Sequence, residues 1–187
     1  MKKFNKKHLL QVLESRVEKH LDSAVGIYQN FTEKQLMSSP STGEWSIAEC
    51  LDHLNRYGDY YLPHIKNALI SIKTKPDNSI LRSSWFGNYF VTTMDPTTGT
   101  KKYKAFKAYV PVNISDPHAV VAKFIRQQEE LVLYVRQSFL LDLNAVKIPI
   151  SISKWIKLSV GDTLRFLIAH NERHYQQAER ARGKMMR

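Results

Sequence analysis

Four segments of this chain repeat apolar residues at intervals of three and four, and that repetition restricts the fold more than anything else in the sequence. In the first, Leu10, Leu13, Val17, Leu21, Ala24, Tyr28 and Phe31 fall on one helical stripe. A short turn follows, with Thr32 and Gln35 at capping-box spacing, and the run SSPSTG then breaks the chain. The second helix opens at Ser46, with Glu49 completing a capping box, and carries Ile47, Cys50, Leu51, Leu54, Tyr57, Tyr61 and Ile65 inward. Pro63 lacks a helical donor, so it is expected to kink this helix or end its first part. The third begins at Asp116 with Pro117 in its first turn and continues through Val121, Phe124, Leu131 and Val135. The fourth starts after Ser159 with Asp162 at its third position, turns Leu164, Leu167, Ile168, Tyr175 and Ala178 inward, and has Gly183 as a stop signal.

Each stripe needs a partner, and no segment reads securely as a strand. The expected fold is therefore all-α, a four-helix bundle in one domain spanning residues 1–187. Residues 74–115, between the second and third helices, form the longest irregular stretch. Trp85, Phe86, Tyr89 and Phe90 suggest that this long connection packs on itself, with a hairpin pairing Tyr89–Thr93 and Lys102–Phe106 as one form. A second irregular stretch covers roughly 140–158 and contains Pro149 and Trp155.

The chain has 187 residues, enough to bury a core without staples. Its one cysteine, Cys50, cannot form an internal disulfide. The basic start MKKFNKKHLL has no apolar run behind it, and no stretch is long and apolar enough to cross a membrane, so a cytoplasmic location is expected. The net charge of +11 invites anionic partners, but the basic residues are spread thinly, with local excess at both ends. That pattern fits a solvated surface better than nucleic-acid binding.

The chemistry rests on histidines. His170 and His174 are four apart, which stacks two imidazoles on one helical face about 5–6 Å apart at Cβ. Alone, such a pair reads as structural or solvent-facing more often than as a metal site. His53 lies beside the apolar stripe of the second helix; by itself it reads as a core residue. Together the three could supply three nitrogens to one divalent ion with a fourth position open, the pattern of catalytic zinc. His64 sits about 16 Å along the helix from His53, too far to share the ion. His8, His20 and His118 read as surface residues. Cys50 reads as a small buried hydrophobe. Glu49, Asp52 and Gln177 are candidates to hold the histidines' second nitrogens. There is no glycine-rich phosphate loop, nucleophile elbow or paired CxxC.

The stretch GEWSIAECLDHL (43–54), followed far downstream by HNERHYQQ (170–177), resembles the DinB-like (DinB/YfiT-like) superfamily of metal-binding four-helix bundles. The likeness runs from KQLMSSPSTGEWS through WFGNYF to the last helix. It implies a bundle whose long second connection lets the middle helices run parallel. It also implies a metal triad of one histidine in the second helix and an H-x-x-x-H pair in the fourth, which here are His53, His170 and His174.

Two functions follow as expectations. One is a metal-dependent enzyme using zinc, nickel or iron to activate water or a low-molecular-weight thiol against a small-molecule substrate, as a hydrolase or thiol transferase. The other is a non-catalytic metal- or ligand-binding bundle with a stress-response or interaction role, for which a homodimer is one assembly.

Overall fold

The computed structural model describes residues 1–73, 80–99 and 104–185. Four long helices are present: α1 (Lys6–Gly26), α3 (Ile47–Ser71), α5 (Pro117–Gln137) and α6 (Val160–Met185). Two shorter ones, α2 (Glu33–Leu36) and α4 (Trp85–Met94), lie between them. Their starts follow from local chemistry. Ser46 and Thr32 each form the full reciprocal capping box, and the Asp116 carboxylate accepts from the Ala119 amide. Ser159 Oγ accepts from the Asp162 amide at 3.1 Å and caps α6.

α1 packs on α5 and α6, and α3 packs on the same pair. The core divides into two apolar clusters, one toward each end of the bundle. One joins Leu10 and Val17 of α1, Tyr61 and Ile65 of α3, Leu131 and Val135 of α5, and Leu164 and Leu167 of α6. The other joins Ala24, Leu51, Phe124 and Ala178. Residue numbers within these clusters fix direction: α3 and α5 run together, and α1 and α6 run against them. Buried polar side chains lie along the same helices, including His20, His53, Asn55, Gln127, Gln128, His170 and Asn171.

Several sequence expectations need correction. Pro63 does not end its helix, since α3 passes through it to Ser71; its side chain lies on the exposed face. Gly183 does not stop α6, which continues to Met185. The proposed 89–93 strand is instead the end of helix α4, so the hairpin with 102–106 does not form; residues 102 and 103 lie outside the described residues. Trp85, Phe86 and Tyr89 face solvent, and only Gly87 and Val91 of α4 are buried. Residues 140–158 are less irregular than expected. They include an antiparallel hairpin of β3 (Lys147–Ile150) and β4 (Ser153–Ser159). A second ladder pairs β1 (Lys2–Asn5) with β2 (Ile80–Ser83). Each sheet has two strands, so the fold stays mostly helical.

α4 is held against the head of α6 by charge. Asp162, fully buried, accepts from Ser83 Oγ at 2.7 Å, from the Ser84 amide at 3.0 Å and from Arg165 at 2.9 Å. Gly87 faces this carboxylate so closely that a Cβ would collide with it.

Candidate metal centre

α3 and α6 run antiparallel, which brings the seventh residue of α3 opposite the middle of α6. His53, His170 and His174 converge there, each offering a nitrogen within 4.8 Å of the others. His53 Nε2 and His170 Nε2 are 3.2 Å apart. Two ligand nitrogens on a tetrahedral zinc at 2.0–2.1 Å would be about 3.3 Å apart, so little movement is needed to fit one.

The second nitrogens decide which lone pairs face inward. His53 Nδ1 donates to the Tyr109 carbonyl at 2.7 Å, leaving Nε2 free to ligate. His174 Nδ1 bonds the Gln177 Oε1 at 3.1 Å, as the sequence suggested. His170 Nδ1 is buried without a hydrogen-bond partner among the described residues. Glu49 and Asp52 are not partners of His53: Glu49 is spent on the Ser46 amide, and Asp52 accepts from Arg56. The partner is a backbone carbonyl from a segment remote in sequence.

Rings enclose the cluster. Trp45 lies 5.0 Å from His53 and 5.6 Å from His174 between centroids; Tyr57 lies 4.3 Å from both His170 and Tyr109; Phe166 stacks on His170 at 6.0 Å. This apolar wall and the surrounding helices set the electrostatics. Burial lowers the pKa of His53, although its bond to Tyr109 pulls the other way. Burial pushes His170 well below the ordinary histidine range, with His174 and His53 adding repulsion. Burial, then the neighbouring His53, takes His174 down to about 3. Three imidazoles kept neutral at pH 7 suit a borderline-soft divalent cation.

Arg173, adjacent to His174, bonds the carbonyls of Thr93 and Gly99 at 3.2 Å and ties the end of α4 to α6 beside the cluster. Tyr57 and Phe166, one turn from His53 and His170, could have been found from helical spacing. Tyr109 and Trp45 come from outside the two helices, and no spacing rule points to them.

The other histidines separate cleanly. His64 is exposed, stacked on Tyr60, and bonds the Tyr60 carbonyl. His20 is not a surface residue: it is fully buried and donates from Nε2 to Glu172 at 2.7 Å. Its imidazole sits at the α1–α6 contact, between Val17 and Ala24 on the buried stripe of α1. Cys50 is buried, and burial raises its thiol pKa far above the usual range, consistent with an inert hydrophobe.

No helix among the described residues is long and apolar enough to cross a membrane. A search of curated protein sequences found no match. Among solved structures, YfiT from Bacillus subtilis, described as a probable metal-dependent hydrolase with an unusual four-helix bundle topology, superposes with a TM-score of 0.55 at 17% identity, covering 97% of this chain and 87% of that one. At that identity the likeness speaks for the fold alone. A family model described as the DinB superfamily matches residues 13–178, and the chain belongs to that superfamily.

Proposed function

We propose that the chain, acting as one domain in the cytoplasm, is a metal-dependent enzyme in which His53, His170 and His174 hold one divalent ion, zinc, nickel or iron. The observation that carries this reading is the 3.2 Å approach of two imidazole nitrogens, that of His53 oriented by the Tyr109 carbonyl. Bound there, the ion would lower the pKa of a water or thiol in its open position and supply a nucleophile at neutral pH.

The chain's own residues do the rest. The Tyr109 carbonyl and Gln177 hold the Nδ1 protons of His53 and His174, so their Nε2 atoms stay available. Trp45, Tyr57 and Phe166 exclude bulk water, which strengthens every charge interaction inside. His174 is half-buried and marks the side open to solvent.

The nearby carboxylates are committed elsewhere: Glu49 to a helix cap, Asp52 to Arg56, and Glu172 to His20 and Gln176. With no carboxylate in the cluster among the described residues to act as a base for water, the arrangement favours activation of a low-molecular-weight thiol attacking a small electrophile, with hydrolysis second. Of the rings of residues 85–90, Trp85, Phe86 and Tyr89 turn to solvent and Phe90 packs on Phe166, so the wall of the cluster is built by Trp45, Tyr57 and Phe166 instead.

The test is metal analysis of untagged protein, followed by transfer assays with a panel of low-molecular-weight thiols. Stoichiometric metal with thiol-dependent turnover is expected. Stoichiometric metal with neither transfer nor hydrolysis would leave the non-catalytic binding bundle as the better reading.

A further inference from the structure

The head of α6 gathers an unusual surface. β2 and both strands of the 147–159 hairpin contact α6, and α4 contacts β4. Trp155 on this hairpin is 95% exposed, and Ile152 at its turn is also exposed. The outer face of α4 adds exposed Trp85, Phe86 and Tyr89. A fully exposed tryptophan has no packing reason to be there.

Charge on the same elements has one sign. Residues 1–5, 80–94 and 143–161 contain no aspartate or glutamate. They carry Lys2, Lys3, Arg82, Lys147, Lys154 and Lys157, all exposed. Among the described residues, the acids that border these segments are already engaged: Asp95 with Arg16, Asp142 with Asn144, and Asp162 with Arg165 and Ser83.

We propose that this end of the bundle, led by Trp155 and the 147–159 hairpin, docks on an anionic phospholipid surface. Tryptophan prefers the headgroup boundary because its ring is apolar at one end and polar at the other. Lysines around it are attracted to anionic headgroups. Ile152 beside Trp155 favours lipid over nucleic acid, because an aliphatic side chain offers nothing for a base to stack on, whereas acyl chains accept it. The hairpin's β4 runs straight into α6, so docking would set the metal-centre helix at a fixed orientation to the surface.

The experiment is co-sedimentation of the full chain with vesicles of phosphatidylcholine alone, or with a quarter of the lipid replaced by phosphatidylglycerol, at about 0.1 M salt, where charges act over about 10 Å. Binding is expected only to the anionic vesicles. Trp155→Ala should weaken it at least about tenfold, and Lys154→Glu with Lys157→Glu should abolish it. These side chains are exposed, so melting temperatures should match the parent and rule out misfolding. The proposal fails if anionic vesicles are not bound, if neutral vesicles bind equally, or if Trp155→Ala binds like the parent. It also fails if the substitution disrupts only self-association or oligonucleotide binding, which would assign the patch to a second copy or to nucleic acid.

Discussion

His53 Nε2 and His170 Nε2 face each other at 3.2 Å across the α3–α6 interface, 117 positions apart in sequence. Tyr109 takes the proton on the other nitrogen of His53, so His53 presents a lone pair to its neighbour. Without a cation between them, the contact depends on His170 carrying its proton on Nε2. In the proposed site, a cation between them would take both nitrogens as ligands.

The first prediction concerns this contact. Replacing His53, His170 or His174 with alanine should each weaken zinc or nickel binding by more than about 100-fold, beyond the 10–100-fold typical of losing an outer partner. His64→Ala, exposed and on the same helix as His53, should bind like the parent. Calorimetric titration of metal-free protein reads both. Metal should also raise the melting temperature of the parent, because the unfolded chain lacks the assembled site. Equal affinity in parent and His53→Ala would remove His53 from the site.

Acid should destabilise the metal-free protein. His20, His53, His170 and His174 all have folded pKa values below their unfolded value near 6.5, chiefly through burial. The unfolded chain therefore binds more protons below that pH. The stability these groups contribute is present above about 6.5 and is lost as pH falls toward the folded values, which for His174 is about 3. Glu172 adds the same sign lower down: the His20 bond holds it at about 2, so its contribution fades from 4.5 toward 2. Urea midpoints measured from pH 7 to 4 should fall steeply. A flat profile would mean that the histidines titrate freely in the folded state.

Asp162→Ala should cost about 3–5 kcal/mol, since it leaves Arg165 buried without its carboxylate and frees β2 and α4 from α6. Gly87→Ala should also lower stability, because the new methyl would displace the same carboxylate. Chemical denaturation reads both; a parent-like Asp162→Ala would show that α4 is held by its apolar contacts instead.

Ser46→Ala removes the side-chain acceptor for the Glu49 amide and should cost about 1 kcal/mol. The loss should appear in the melting temperature. Metal affinity should fall little, because His53 is two turns into α3 and fixed by Tyr109. A large affinity loss would show that the Trp45–Ser46 corner also orders the site.

The sequence by itself determined the four long helices, since each apolar stripe and its cap act within a few residues. Ser46 with Glu49, Thr32 with Gln35, and Asp116 before Pro117 begin the helices that they mark. The i, i+4 pair of His170 and His174 was legible for the same reason. Tertiary structure alone decided the rest. α4 was hidden because only Gly87 and Val91 of its ten residues are buried, leaving no stripe to read. Pro63 did not end α3 because packing of Tyr61, Leu62 and Ile65 around it outweighs a local backbone penalty, whereas Gly183 stands in open space two residues before the end of α6. His20 lies on the buried stripe of α1 but found its partner in Glu172, and His53 found its own in the Tyr109 carbonyl rather than in Glu49 or Asp52. Both bonds join segments far apart in sequence, where no local periodicity reaches. Only the docking of helices chooses which donor meets which acceptor.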